Sequence, residues 1–283
     1  MRIFLLHLTQ VPPELIPKIS PVQALSNTIW HSAKSVELHT LTKIQNDQRT
    51  TLRKLANQFQ VDCIFLKDDF DIHQVKLLAF DMDSTLINIE CIDEIARQVG
   101  KSQEVSAITE ATMRGEITDF SVSLKKRVQI LAGTPESAMQ TVYEQRLALN
   151  LGAENLLIEA KKYAWQTLLV SGGFTFFTDR IKARLQIDHA YSNTLEIQDQ
   201  TITGKVLGPI VDGQAKANFL QHHAHALGIQ TNQTIVLGDG SNDLPMMGLA
   251  GLSIGYRAKP VVQEKADGSF NHVGLDGLLG LFD

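Results

Sequence analysis

The stretch that decides the fold is Leu77-Leu78-Ala79-Phe80-Asp81-Met82-Asp83-Ser84-Thr85, in which four apolar residues lead directly into two carboxylates. An uninterrupted apolar run of this kind predicts a strand that is buried on both faces, as in a parallel sheet. In open α/β sheets, ligands gather beyond the carboxyl ends of the strands. The sequence therefore predicts that Asp81 and Asp83 stand at the edge of a ligand site.

Two later apolar runs also end in polar loops. Ser171-Gly172-Gly173 follows the first, and Gly238-Asp239-Gly240-Ser241-Asn242-Asp243 follows the second. A serine hydroxyl and glycine N–H groups near a helix start provide donors for a phosphoryl group, to which Lys216 adds a compact positive charge. Carboxylates from separate strand ends suit a hard cation that keeps several waters. The sequence therefore predicts a Mg²⁺ site with ligands Asp81, Asp83 and Asp239.

Strand and helix patterns alternate in the second half of the chain. Apolar strands are predicted near 167–170, 234–237 and 252–255, with helices near 174–185 and 244–250. Ahead of this region, apolar spacings of three and four predict four helices, near 92–99, 105–113, 120–131 and 138–147. Residues 194–206 alternate around a polar turn and predict a hairpin flap. The predicted fold class is α/β, with a doubly wound parallel sheet.

The first 74 residues predict a small α/β domain of their own. Strands near 3–8, 36–41 and 62–66 and a helix near 47–59 contain no residue that suggests chemistry. The charged stretch Lys67-Asp68-Asp69-Phe70-Asp71 indicates a boundary. A second domain is expected to cover residues 75–283.

Composition argues against several function classes. The chain has 283 residues, 43% of them hydrophobic, and its formal net charge of −5 leaves no basic footprint for nucleic acid. No apolar run is long enough to span a bilayer, and the N-terminal segment reads as a strand and not as a signal peptide. Two cysteines, Cys63 and Cys91, are too few for a disulfide framework. We therefore expect a cytoplasmic protein with no nucleic-acid partner and no membrane partner.

The four motifs occur in a recognisable order along the chain. They are Phe80-Asp81-Met82-Asp83-Ser84-Thr85-Leu86, Val170-Ser171-Gly172-Gly173-Phe174, Lys216 and Gly238-Asp239-Gly240-Ser241-Asn242-Asp243-Leu244-Pro245-Met246. Together they resemble the haloacid dehalogenase-like (HAD) superfamily of aspartate-nucleophile phosphatases and, within it, the phosphoserine phosphatases. The resemblance implies a HAD-like, Rossmann-type core. It also implies a helical cap inserted at about residues 90–155, which closes over the substrate and excludes water.

The resemblance further implies covalent catalysis on a small-molecule substrate. Asp81 attacks the phosphorus to form an aspartyl phosphate, and Asp83 protonates the leaving oxygen and then activates water. Glu90 and Arg127 match positions that the resemblance assigns to the amino group and the carboxylate of O-phospho-L-serine, which implies the last step of L-serine biosynthesis. The residues expected to bind substrate are Glu90, Arg127, Ser171, Gly172, Lys216 and Asn242.

Several alternatives stay open at this point. Glu90 could be a solvated carboxylate, and Arg127 one member of a basic run on a solvated helix face. Asp243 could hold the metal-binding loop in position or cap the next helix. The phosphoryl group could pass to an acceptor such as homoserine, or the phosphatase domain could be idle in an amino-acid-sensing regulatory protein. The oligomeric state is also open, with a homodimer as one alternative.

Overall fold

The structure, a computed structural model, describes residues 1–282, apart from the side chain of Met113. Eleven strands are present in this part of the chain. They are β1 (Arg2–Leu6), β2 (Leu25–Trp30), β3 (Ser35–Thr40), β4 (Asp62–Leu66), β5 (Leu77–Phe80), β6 (Gln166–Phe174), β7 (His189–Gln198), β8 (Thr201–Leu207), β9 (Thr234–Gly238), β10 (Leu252–Tyr256) and β11 (Gly268–Phe270). They form one continuous sheet in the order β2-β3-β1-β4-β11-β10-β9-β5-β6-β7-β8.

Helices cover the sheet and extend away from it. The α-helices of residues 1–282 are α1 (Leu15–Ile19), α2 (Asn46–Gln58), α3 (Cys91–Gln98), α4 (Ser102–Met113), α5 (Phe120–Ile130), α6 (Ser137–Gln145), α7 (Ala153–Lys162), α8 (Thr175–Leu185), α9 (Gly213–Ala226), α10 (Leu244–Met247) and α11 (Pro260–Lys265). Within the described residues, no helix is both long enough and apolar enough to cross a membrane.

The centre of the sheet is parallel, and the predicted α/β fold class is confirmed. Phe80 of β5 is aligned with Leu169 of β6 on one side and with Leu237 of β9 on the other. All four residues of β5 are fully buried, and alternate residues pack into hydrophobic clusters on opposite faces of the sheet. Full burial of one such side chain stabilises the fold by about 1.5–3 kcal/mol. This register brings the loops that follow β5, β6 and β9 to the same edge.

Helices α3 to α6 are inserted in the chain between β5 and α7. The chain leaves and re-enters the core through adjacent segments, which a β-bridge between Ile87 and Leu149 joins. All four helices predicted here are present, with ends within a few residues of the predicted ones. The predicted hairpin is β7–β8, and Gly133 N–H donates to Ile202 O at 2.9 Å between the cap and this hairpin. The cap is therefore attached to the core both at its root and through the hairpin.

The N-terminal strands extend the core sheet. Strands β1, β3 and β4 pair antiparallel, and β4 joins β11 where Ile64 is aligned with Gly268. A Cβ built on Gly268 would lie 2.7 Å from Ile64 Cγ1, so a larger residue would separate the two strands. One face of this N-terminal sheet packs against α1 and α2, and Phe4 and Leu6 on the other face join the core cluster. The edge strand β2 was not predicted from the sequence.

Candidate active site

The loop after β5 presents two buried carboxyl groups. Asp81 and Asp83 are only 5% and 9% exposed. Asp81 Oδ1 accepts the Met82 N–H at 2.7 Å, which fixes the carboxylate against its own backbone. Ser84 adopts a left-handed conformation with φ of 57°, and its hydroxyl donates to Glu90 Oε1 at 2.7 Å. A positive φ is uncommon for a residue other than glycine. The tight turn therefore connects the catalytic loop directly to the start of the cap.

Lys216 lies beneath this loop, near the first turn of α9. Its ammonium group lies 2.8 Å from Asp81 Oδ1 and 2.7 Å from Asp243 Oδ1, and its side chain is almost wholly buried. Asp212 begins the helix by accepting the Ala215 N–H at 2.8 Å. Burial lowers the pKa of Lys216, but the charges of Asp243 and Asp81 outweigh burial and raise it overall. Lys216 is therefore a permanent cation between two acids.

Asp243 organises the loop after β9. Its Oδ2 atom accepts the N–H of Asp239 at 3.1 Å and the N–H of Gly240 at 2.9 Å, while its Oδ1 atom accepts from Lys216. It makes no side-chain capping bond to α10. Of the two roles that the sequence left open for Asp243, the structure therefore supports positioning of the loop. A Cβ on Gly238 would lie 2.5 Å from Asp243 Oδ2, so this arrangement requires glycine there.

Three carboxylates converge at this edge of the sheet. Oxygen atoms of Asp81, Asp239 and Asp243 all lie within 4.8 Å of one another, and all three residues are buried. When all three acids are ionised, the one lysine that contacts them leaves an excess of negative charge. Oxygen donors with excess negative charge suit Mg²⁺ or a similar hard cation. The donor set therefore fits the predicted metal, with Asp243 beside the two predicted ligands Asp81 and Asp239.

Burial and mutual repulsion shift the titration of these acids. The pKa of Asp239 is raised to about 7 by burial, with further contributions from Asp243 and Glu90. The pKa of Asp83 is raised to about 8 by burial and then by Glu90. Burial and the Asp243 charge also raise the pKa of Asp81, against the opposing effect of the neighbouring ammonium group. The raised pKa favours the protonated form of Asp83, which is the form that a general acid needs.

The loop after β6 provides hydrogen-bond donors. Ser171 is fully buried, and its Oγ atom accepts the Gly173 N–H at 2.9 Å, which leaves the hydroxyl hydrogen free to donate. A Cβ on Gly173 would lie 3.1 Å from Asp83 Oδ2, so this loop passes close to the catalytic loop. A Cβ on Gly172 would lie 2.8 Å from Phe120 Cζ on the cap. The cap is therefore closed against the core at this point.

The cap contributes charges of both signs. Glu90 precedes α3, and Arg127 lies on α5; both are half-buried, whereas Lys125 and Lys126 are exposed. Buried polar atoms without a hydrogen-bond partner among the described residues include Arg127 Nε, Asp93 Oδ1 and Asp83 Oδ1. Burial lowers the pKa of Arg127, and the charges of nearby acids, including Asp93 and Glu90, oppose that shift. Arg127 is therefore distinct from the solvated basic run around it.

A family model agrees with this arrangement. The model for haloacid dehalogenase-like hydrolases matches residues 78–248, which include the loops after β5, β6 and β9 and the whole cap. The chain belongs to the haloacid dehalogenase-like hydrolases.

Individual relatives of the hydrolase match most of its length. A phosphoserine phosphatase of Polaromonas sp. is 52% identical over 217 residues, which are 75% of this chain and 92% of the relative. A phosphoserine phosphatase of Haemophilus influenzae is 44% identical over 253 residues, 89% of this chain and 79% of the relative. A solved HAD-family hydrolase from Salmonella enterica serovar Typhi superposes with a TM-score of 0.88 at 34% identity, and covers 100% of this chain and 98% of that one. The predicted family resemblance is confirmed.

The hydrolase brings most of the predicted site residues to one edge of the sheet. Asp81, Asp83, Ser171, Lys216 and Asp239 are buried there, with Gly172 close to the cap. Two of the predicted site residues, Asn242 and Asp83, are placed less clearly in their predicted roles. Asn242 lies half-exposed in the 3₁₀ turn after β9, and the carboxylate of Asp83 lies outside the group of three that converge within 4.8 Å. The roles of these two residues as substrate and metal ligands stay predictions.

Some positioning residues of the hydrolase were not predicted. Asn150 Nδ2 donates to Thr85 O at 2.8 Å and to Ile87 O at 3.0 Å, which ties the root of the cap to the catalytic loop. Asn193 Nδ2 donates to Gly172 O at 2.9 Å, while its Oδ1 accepts the N–H of Val211. Both asparagines act on backbone that is distant in sequence. A single sequence contains no local signal for such contacts.

Proposed function

We propose that this protein is a phosphoserine phosphatase, which hydrolyses O-phospho-L-serine to L-serine and phosphate through a phosphorylated Asp81. The observation that carries the proposal is the pairing of two buried carboxyl groups with different surroundings. Asp81 contacts the buried ammonium group of Lys216, whereas Asp83 has no such partner and its pKa is raised to about 8. Two carboxyl groups with different surroundings can serve as nucleophile and acid in one site. The named relatives support the same activity.

The contacts of Asp81 suggest which oxygen attacks. Oδ1 accepts the Met82 N–H and contacts Lys216, whereas Oδ2 accepts no hydrogen bond from the described residues. We propose that Oδ2 attacks phosphorus and that Oδ1 stays restrained. Lys216 offsets the charge of the carboxylate, which favours the approach of a phosphate dianion.

Asp83 is proposed to move the proton in both half-reactions. Its raised pKa favours the protonated carboxyl group, which donates a proton to the seryl oxygen as the P–O bond breaks. The resulting carboxylate then takes a proton from the water that attacks the aspartyl phosphate. That second step returns Asp83 to its starting state and releases phosphate from Asp81.

Around the phosphoryl group, the proposed donors are Ser171, the N–H of Gly172 and Asn242, together with Lys216. The hydroxyl hydrogen of Ser171 is free because its oxygen already accepts from Gly173. Asp81 and Asp239 would hold Mg²⁺, which supplies positive charge against the phosphoryl oxygens when it is bound. Asp83, the third ligand that the sequence predicts, would join them only with its carboxyl group deprotonated.

The substrate's amino-acid end is assigned to the cap. A guanidinium group binds a carboxylate through two parallel hydrogen bonds, and Arg127 has a buried Nε without a partner in the described chain. Glu90 supplies a carboxylate for the ammonium group. Phe120 closes against Gly172 and excludes water from the space between. This set of charges suits a zwitterionic phosphoamino acid better than a sugar phosphate.

The setting of the protein is also proposed. Both cysteines are buried and free, which supports a reducing, cytoplasmic environment and a role in the last step of L-serine biosynthesis. A homodimer stays a prediction, for which light scattering of the purified chain is the direct measurement.

Phosphate release tests the proposal. The substrates are O-phospho-L-serine, O-phospho-L-threonine, p-nitrophenyl phosphate and a sugar phosphate, each with Mg²⁺ and with a chelator. We expect Mg²⁺-dependent preference for phosphoserine, and a loss of roughly a thousandfold or more in Asp81→Asn. Asp179→Asn, on the exposed face of α8, is the matched control and should keep full activity. Full activity in Asp81→Asn would refute the nucleophile, and sugar-phosphate preference would refute the substrate.

Two alternatives are separated by the same assay. Addition of homoserine to the phosphoserine reaction should leave the yield of phosphate unchanged, since water is the proposed acceptor. Phosphohomoserine in place of phosphate would indicate a phosphotransferase. An absence of turnover on every substrate, with serine binding retained, would indicate the idle regulatory protein.

A further inference from the structure

A second cavity lies where the N-terminal strands join the core sheet. Its volume is about 360 Å³, which falls in the usual range for small-molecule sites. Helix α2 contributes Arg53 and Lys54, α11 contributes Gln263, and Ser269 belongs to the adjoining strand β11. None of the residues assigned to the phosphatase site lines this cavity.

Two donors in the lining lack an acceptor. Ser269 is 6% exposed, and its buried Oγ has no hydrogen-bond partner among the described residues. Arg53 donates from Nη1 to Glu264 O at 3.2 Å and from Nη2 to Ala266 O at 2.6 Å, but its buried Nε has no partner. A buried donor without an acceptor costs free energy. The hydroxyl of Ser269 and the Nε–H of Arg53 are therefore both available to a ligand that carries acceptor atoms.

The charge of the lining is positive. Arg53 and Lys54 are its cations, and Asp62 is its acid. Asp62 is already saturated, because its two oxygens accept the N–H groups of Asn271, His272 and Val273 at 2.9–3.0 Å. In the described chain, no carboxylate forms an ion pair within 4.0 Å of Arg53. Burial lowers the pKa of Arg53, and the charges of Asp267 and Glu264 oppose that shift without cancelling it.

We propose that this cavity binds a small oxyanion, either a carboxylate or a phosphate, through Ser269, Arg53 and Lys54. An oxyanion carries the acceptor oxygens that the two unpartnered donors lack, and its negative charge is attracted by the two cations. Cavity size limits the ligand to a small metabolite. The site is separate from the active site and does not depend on the phosphatase assignment.

Calorimetric titration of the full chain tests this site. The two probes are inorganic phosphate and malonate, each added in the presence of a chelator so that no divalent cation favours phosphate at the active site. We expect saturable binding of at least one probe to the unmodified chain, and the tighter one identifies the source of the anion. Ser269→Ala and Lys54→Gln should each weaken that binding by roughly tenfold, the usual effect of one lost hydrogen bond to a charged group.

Matched variants distinguish binding in this cavity from binding elsewhere on the chain. Lys43→Gln removes the same charge at an exposed position outside the cavity and should leave the affinity unchanged. Ser171→Ala alters the active-site loop and should also leave it unchanged. Ser269→Ala removes a buried hydroxyl with no partner, so its melting temperature without anion should be no lower than that of the unmodified chain. Absence of binding of both probes, affinity unchanged in both cavity variants, or loss confined to Ser171→Ala would overturn the proposal.

Discussion

Lys216 Nζ lies 2.8 Å from Asp81 Oδ1, and both side chains are almost completely buried. The lysine also contacts Asp243 at 2.7 Å, so one ammonium group holds the candidate nucleophile and the residue that shapes the loop after β9. Breaking a buried pair by removing one partner leaves an uncompensated charge. Both stability and catalysis should therefore depend on this lysine.

Lys216→Ala should reduce both properties. We expect a loss of about 3–5 kcal/mol in the free energy of unfolding, because Asp81 and Asp243 lose their cation. Phosphatase activity should fall by roughly a hundredfold or more. Chemical denaturation and phosphate release are the measurements, and Lys125→Ala, an exposed lysine on the cap, is the control. A folded Lys216→Ala variant with normal activity would contradict the role given to this residue.

Arg127 should decide substrate affinity. Arg127→Lys keeps the charge but loses the planar pair of donors, so KM for phosphoserine should rise by roughly tenfold to a hundredfold. Activity on p-nitrophenyl phosphate should change little, because that substrate has no carboxylate. The neighbouring Lys126 is exposed, so the control variant Lys126→Ala should have the same KM as the unmodified enzyme. Equal effects of Arg127→Lys on both substrates would instead indicate a structural role.

Asn150 should couple the root of the cap to the catalytic loop. In Asn150→Ala the carbonyl groups of Thr85 and Ile87 lose their donor, which should cost about 1–3 kcal/mol in unfolding free energy. The value of kcat should fall more than KM rises, since the loop that carries Asp83 loses its position. Asn155→Ala is the control, because Asn155 is exposed and donates to Asp276 away from the site. If kcat stays normal in Asn150→Ala, the coupling is absent.

Stability without metal should fall as the pH rises. The pKa values of Asp239 and Asp83 are raised to about 7 and about 8, from the ordinary aspartate value of 3.8. Between these limits the native state holds protons that the unfolded state has released, so the free energy of unfolding decreases with pH. In a chelator, the melting temperature should drop from pH 5 to pH 8, and less steeply in Asp83→Asn.

Mg²⁺ should reverse this trend. Metal binding requires deprotonated carboxylates, so the gain in melting temperature on addition of Mg²⁺ should be larger at pH 8 than at pH 6. Asp239→Asn should abolish most of the gain. Thermal unfolding followed by fluorescence is the measurement. An equal gain at both pH values, or a full gain in Asp239→Asn, would contradict the proposed ligands.

The N-terminal unit should be needed for stability. Division of the chain near residue 74 stays a proposal, and the sheet crosses that division where β4 pairs with β11. In the full chain, Phe65 N–H donates to Asp267 O, just before β11, at 2.9 Å. Removal of residues 1–74 would expose this edge of β11. We expect the shortened chain to aggregate or to melt at a lower temperature, as shown by size-exclusion chromatography and calorimetry. A monomer with unchanged melting temperature would show that the core is independent.

The strands and helices that depend on the local spacing of apolar residues could be predicted from the sequence. The apolar run Leu77 to Phe80 predicted a strand buried on both faces, because such a run cannot expose one face to water. The cap helices followed from apolar spacing, which reflects a local repeat of 3.6 residues per turn. Strand β2 (Leu25–Trp30) was missed because it lies at the sheet edge, where half its residues meet solvent and the pattern is weak.

By itself, the sequence determined the order of the motifs, the class of fold and which carboxylates are the candidates for the chemistry. Each of these depends on local residue pattern and on how a strand end presents a side chain. Tertiary structure alone decided that Asp243 contacts Lys216, that Asn150 and Asn193 hold the loops, and that β4 continues the core sheet beside Gly268. These contacts join residues far apart in the chain. Their partners are chosen by packing and burial in the folded protein, which no short stretch of sequence encodes.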